Sequence, residues 1–131
     1  MNVRYDAIAS YMAQWETHFV EPVVFGTTDP YQVACLLDAF CQRELDVAIA
    51  DVLFYESSIG VVCGMHLQNG RRVVVKVHQP SHTLEFLRAV VRVQRYLLAH
   101  GYPCTKPLLD PRPLARGLAT LEELVDEGEY R

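Results

Sequence analysis

Ile8, Met12, Trp15 and Phe19 recur at four- and three-residue steps, which places them on one face of a helix predicted over residues 5–19. Glu21-Pro22 closes that helix, because the residue before a proline is driven out of the helical region. Asp29-Pro30 opens a second, with an N-cap acceptor followed by proline at the first helical position. Val33, Leu36, Leu37, Phe40 and Cys41 form its apolar stripe. From Val47 the period changes from helical to alternating. Residues 47–55, 60–67 and 72–78 read as strands rich in valine and aromatic side chains. Gln68-Asn69-Gly70 joins the last two as a hairpin and carries the Asn-Gly pair that a type I′ turn favours. A long helix follows over 83–100, with Gly101 placed to close it. Two short strands, 106–109 and 118–124, are joined by the turn Asp110-Pro111-Arg112-Pro113.

The order is helix, helix, three strands, helix, two strands. It predicts an α+β fold: a five-stranded antiparallel sheet with one long packing helix, helices on one side, preceded by two N-terminal helices. The chain reads as one domain, with residues 1–45 a helical extension and 46–131 the α+β unit.

Composition narrows the classes. Of 131 residues, 50% are hydrophobic and 21% charged, enough apolar matter for a real core and too much for a disordered chain. Apolar runs such as Val73-Val74-Val75 are far too short to span a bilayer, and the N-terminus does not read as a signal peptide, so a cytoplasmic protein off the membrane is expected. A net charge of −4 argues against nucleic acid. Cys35, Cys41, Cys63 and Cys104 have no CxxC spacing and sit in apolar segments, as buried free thiols do. His78 and His82 are four apart, but Pro80 between them prevents a shared helical face, so no metal site is expected.

The segment from Val61 to Leu124 resembles the small, N-terminal lobe of the aminoglycoside phosphotransferase family, relatives of the protein kinases. The resemblance rests on the hairpin Gln68-Asn69-Gly70-Arg71-Arg72, the strand Val73-Val74-Val75-Lys76-Val77-His78 and the helix end Ala99-His100-Gly101-Tyr102-Pro103. Pro107-Leu108-Leu109 and Ala119-Thr120-Leu121-Glu122-Glu123-Leu124 continue it. What it implies is a nucleotide-binding lobe with ATP as cofactor. Lys76 then takes the place of the lysine that holds the α- and β-phosphates. Ser58 and Gly60, in the turn Glu56-Ser57-Ser58-Ile59-Gly60, would cover the phosphates, and Glu122-Glu123-Leu124 would form the hinge. Without the resemblance, Lys76 is a solvated lysine sharing the polar strand face with Arg72, Val74 and His78, while Val73, Val75 and Val77 face the core.

The chain departs from the family pattern in two ways. A phosphate-holding lysine is normally oriented by a carboxylate on the next helix. Here the only acid is Glu85, on one stripe with Arg88, Arg92 and Arg95 on what reads as a solvent face. Gln94, nearer the expected spacing and on the apolar side, carries no charge. Nor does the chain contain a His-Gly-Asp or an Asp-x-Asp motif for catalysis and magnesium, so no catalytic and no metal residue is assigned. The expectation is a stand-alone lobe that binds ATP weakly at most. Its exposed lobe face is then covered in a homodimer or by a partner protein. Two alternatives stay open: the nucleotide-binding half of a kinase completed by another chain, and an unrelated dimeric α+β effector-binding or chaperone-like domain.

Overall fold

The computed structural model describes residues 5–124. It orders them as α1 (Asp6–Met12), α2 (Val20–Val24), α3 (Pro30–Leu45), β1 (Ile49–Ser57), β2 (Val61–Leu67), β3 (Arg72–His78), α4 (Leu84–Ala99), β4 (Arg112–Leu114) and β5 (Gly117–Glu123). The strands form one antiparallel sheet in the order β1-β2-β3-β5-β4. The α+β class and its five-stranded sheet are as the sequence predicts.

The first helix is shorter than its apolar period suggests. Ile8 and Met12 are buried, but Trp15 is 55% and Phe19 78% exposed. The last turn of α1 tightens to bonds from Gln14 N to Tyr11 O and from Trp15 N to Met12 O, and His18 Nε2 donates to the Met12 carbonyl at 2.8 Å. That carbonyl would otherwise accept from residue 16, so the helix stops. Glu21-Pro22 does not end a helix but lies in the first turn of α2, where a proline removes no intrahelical donor.

The second long helix, α3, begins as expected: Asp29 Oδ1 accepts from Tyr31 N at 3.0 Å, with Pro30 at the first helical position. Asp46, in the left-handed region at φ 58°, ends it. Asp38, only 4% exposed, accepts from Ile49 N at 2.8 Å and from Gln42 Nε2 at 2.7 Å, which ties the buried side of α3 to the start of β1. A buried backbone N–H thereby finds its acceptor.

Cys63 pairs with Val75 and Met65 with Val73, so the β2–β3 hairpin forms as predicted. Its turn is not type I′. Gly70 N donates to Leu67 O and Gly70 has φ +89°, while Asn69 is not in the left-handed region. This is a three-residue turn with one left-handed glycine, in which Leu67 N reaches Arg71 O across the loop. Gly64 marks a close approach. It pairs with Phe54, whose ring occupies the space a Cβ would take, beside a register shift in β1 between Val52 and Phe54.

The sheet edge corrects a second expectation. Residues 106–109 form no full strand: Pro107 makes a single bridge to Glu122, with Leu108 N bonding Leu121 O. The strand instead lies at Arg112–Leu114, inside the stretch predicted to be a turn. Pro113 is tolerated there because β4 is an edge strand and its missing N–H leaves no neighbour short of a partner.

Helices also cover both faces, not one. Val61, Cys63, Met65, Val73, Val75, Val77, Ala119 and Leu121 build the main core with α1, α2 and α3, so the N-terminal helices share one core with the sheet. The other face carries Val74, Lys76, His78, Thr120 and Glu122, and α4 lies on that side. Thr83 caps α4 by accepting from Phe86 N at 3.1 Å. Its far end closes as Gly101 N bonds Leu98 O and Tyr102 N bonds Leu97 O, with Gly101 at φ +80°. Of its apolar residues only Leu87 and Val91 are buried.

Cys41 and Cys63 are buried free thiols, and burial pushes the Cys41 thiol up to about 12. Cys35 and Cys104 are half-buried and also free. Among the described residues no helix is long and apolar enough to cross a membrane.

Candidate functional site

The β1–β2 turn folds over the end of β3 because Ser58 N donates to Gly60 O at 3.0 Å and Gln79 Nε2 donates to Ile59 O. Gly60 is required there by sterics: a Cβ would stand 2.5 Å from the Val77 carbonyl oxygen. Its place in the turn is explained by backbone packing, whatever the turn covers. Beneath it lies an open cleft of about 290 Å³, lined by Ser58, Gly60, Val62, Lys76, His78 and His82 among others. Three of the five residues assigned to nucleotide binding, Ser58, Gly60 and Lys76, thus meet in one cleft.

Lys76 is not free within it. Its Nζ lies 2.5 Å from Glu122 Oε1, on the neighbouring strand and 5% exposed by side chain, against 41% for the lysine. Lys76 stands opposite Thr120 and Val74 opposite Glu122, so the ion pair runs diagonally across two strands. Glu122 Oε2 accepts from Thr105 Oγ1, which in turn accepts from Gln94 Nε2 at 3.4 Å. Gln94 does reach the lysine, through two intermediaries. The carboxylate that orients Lys76 therefore comes from β5 and not from α4.

Sequence alone does not point to Thr105, and it places Glu122 only in the hinge that the resemblance implies. The available signal was alternation: Thr120 and Glu122 are out of phase with Ala119 and Leu121, and so belong to the Lys76 face. Glu85 stands apart. It lines an open groove with Arg88, Arg92, Arg95 and Asp110 on the outer side of α4, the solvent face that its stripe predicts. Arg95 Nη1 contacts Asp110 Oδ1 at 2.7 Å and holds that carboxyl below its ordinary range.

The Lys76–Glu122 pair leaves the Lys76 side chain 41% exposed at the cleft, its charge shared with a buried carboxylate. His78 adds no charge near neutrality. Burial first, then the nearby His82 and Lys76, push its ring down to about 4, with Glu122 opposing, and its Nε2 shares a 2.9 Å hydrogen bond with Thr120 Oγ1. The His82 ring sits between those of His78 and Phe86, at 5.8 and 5.6 Å. Among the described residues no group of three His, Cys, Asp or Glu side chains is placed to hold a metal ion.

A pH dependence follows from His78. Its folded value lies below the ordinary 6.5, so between about pH 6.5 and 4 the unfolded chain binds more protons. Stability is full above that window and falls as pH drops through it. Urea unfolding at pH 7 and 4.5 should show a loss larger in the native chain than in His78→Gln, by on the order of 1 kcal/mol at this half-exposed site. Equal losses in the two proteins contradict the assignment.

The chain matches no protein-family model and no curated protein.

Proposed function

We propose that the chain is a non-catalytic binding module, similar in layout to a kinase small lobe, that acts through protein contact and binds ATP weakly at most. One observation carries this reading. Phe86, Val90, Val93 and Tyr96 are 55%, 40%, 57% and 61% exposed along one flank of α4, between its buried Leu87 and Val91 and the charged outer stripe of Glu85, Arg88, Arg92 and Arg95. A contiguous apolar stripe left in water is the usual mark of an association surface. A second copy is the occupant that fits: packed about a two-fold axis, two α4 helices bury the same stripe against itself.

Weak nucleotide binding is expected because the chain carries no Asp-x-Asp motif to hold the magnesium that accompanies ATP. Calorimetry with ATP, with and without magnesium, tests this on the intact chain and on Lys76→Ala. The expected result is no saturable heat below about 1 mM in either protein, an affinity worth less than about 4 kcal/mol. Micromolar binding abolished by Lys76→Ala would overturn it in favour of a nucleotide-binding half completed by another chain.

A further inference from the structure

Ser58 lines two cavities: the Lys76 cleft and, beside the segment between α1 and α2, a second pocket of about 250 Å³. The second is walled by Trp15, His18, Phe19 and Glu21. Glu21 is 1% exposed, yet it forms part of that wall. Its Oε2 accepts a 2.9 Å bond from the Tyr55 hydroxyl. Burial and the adjacent carboxylate push the Tyr55 hydroxyl far above its ordinary range, so it remains a donor. Among the described residues no lysine, arginine or histidine forms an ion pair with Glu21. A carboxylate this deeply buried is unfavourable without a counter-charge, and one neutral hydrogen bond compensates it only in part.

The aromatic residues around it are equally unexplained by core packing. Trp15 and Phe19 are 55% and 78% exposed although both line the pocket. Tyr11 stands between the Trp15 and Tyr55 rings, at 6.4 and 5.6 Å, and is fixed by a 2.7 Å bond from its hydroxyl to Ser57 O. Aromatic faces beside a buried carboxylate attract a cation and offer nothing to an anion. We propose that this pocket binds a small organic cation, with its ammonium group on Glu21 and its apolar body against Trp15 and Phe19. The volume lies just below that of pockets for drug-sized ligands, which restricts the occupant to a small amine.

Trp15 is the sole tryptophan of the chain, so its fluorescence reports occupancy directly. The probe is benzylamine at pH 7, with benzyl alcohol as its neutral counterpart of the same shape. Benzylamine should give a saturable change, with benzyl alcohol at least about tenfold weaker, as loss of a charge-assisted hydrogen bond requires. Glu21→Gln, which can still accept from Tyr55, should weaken benzylamine about tenfold or more. Phe19→Ala, a change at an exposed side chain that leaves the core intact, should weaken it about two- to fivefold. Equal affinity for amine and alcohol, an unchanged Glu21→Gln, or no saturable response to benzylamine overturns the proposal. Should Glu21→Gln fail to fold, the amine–alcohol comparison in the native chain and Phe19→Ala decide alone. None of these readouts depends on the Lys76 cleft or on α4.

Discussion

Phe40→Ala is expected to lower the free energy of unfolding by about 3–5 kcal/mol, whereas Trp15→Ala changes it by less than about 0.5 kcal/mol. Phe40 is 1% exposed and is among the largest fully buried side chains of the described residues. It projects from α3 into the cluster formed with the inner face of the sheet. Removing its ring forfeits the transfer free energy and leaves a cavity that a close-packed core closes only in part. Trp15, the larger side chain, is 55% exposed beyond α1 and meets the body of the protein only at its edge, near Tyr11, so its removal leaves no closed cavity. Denaturant titration of both variants is the check. A large loss for Trp15→Ala would mean that α1 continues through Trp15 against the core, as its apolar period alone suggests.

Val93→Glu is expected to weaken self-association by about 2–4 kcal/mol, roughly 30- to 1000-fold in the dissociation constant, without destabilising the fold. Val93 lies in the middle of the apolar flank, between Val90 and Tyr96, and is 57% exposed. In a two-fold pair of α4 helices the substitution places two carboxylates in an apolar contact, each desolvated and close to its own copy. In the separate chain the same glutamate is solvated on a helix surface, where its effect on stability is within about 0.5 kcal/mol. The two expectations separate association from folding. A variant that unfolds, or a dimer indifferent to it, places the contact elsewhere.

The elements that were legible in the sequence are those whose local chemistry agrees with their packing. Asp29-Pro30 starts α3, Thr83 and Gly101 bound α4, and the alternation Val73, Val75, Val77 against Val74, Lys76, His78 sorts β3 between its two faces. The failures lie where a tertiary partner overrides a local period. His18 takes the carbonyl that α1 would need in order to continue, and Trp15 and Phe19 lose the core position their spacing implies. The edge strand moves to Arg112–Leu114 because pairing with β5 decides where residues 106–114 lie flat, and prolines signal a turn whether or not an edge strand accommodates them.

For the site, Ser58, Gly60 and Lys76 were brought together by the family resemblance, and the three line one cleft. Gln94 was placed on the correct side of α4 by its helical angle, and the same angle put Glu85 on the outer side. Glu122 was not legible as the lysine's carboxylate because the family pattern puts that acid on the next helix, while here the pair forms across strands. Glu21 was missed for a related reason. A glutamate before a proline reads as a helix boundary, and only the fold reveals that it is buried beneath Tyr55.

The proposed association surface is the apolar flank of α4 formed by Phe86, Val90, Val93 and Tyr96. Sedimentation equilibrium on the unmodified chain tests it most directly, over a range of concentrations and against Val93→Glu. The expected result is a mass twice 14.9 kDa for the native chain and 14.9 kDa for the variant under the same conditions. A native chain that sediments as a monomer at every concentration contradicts the claim.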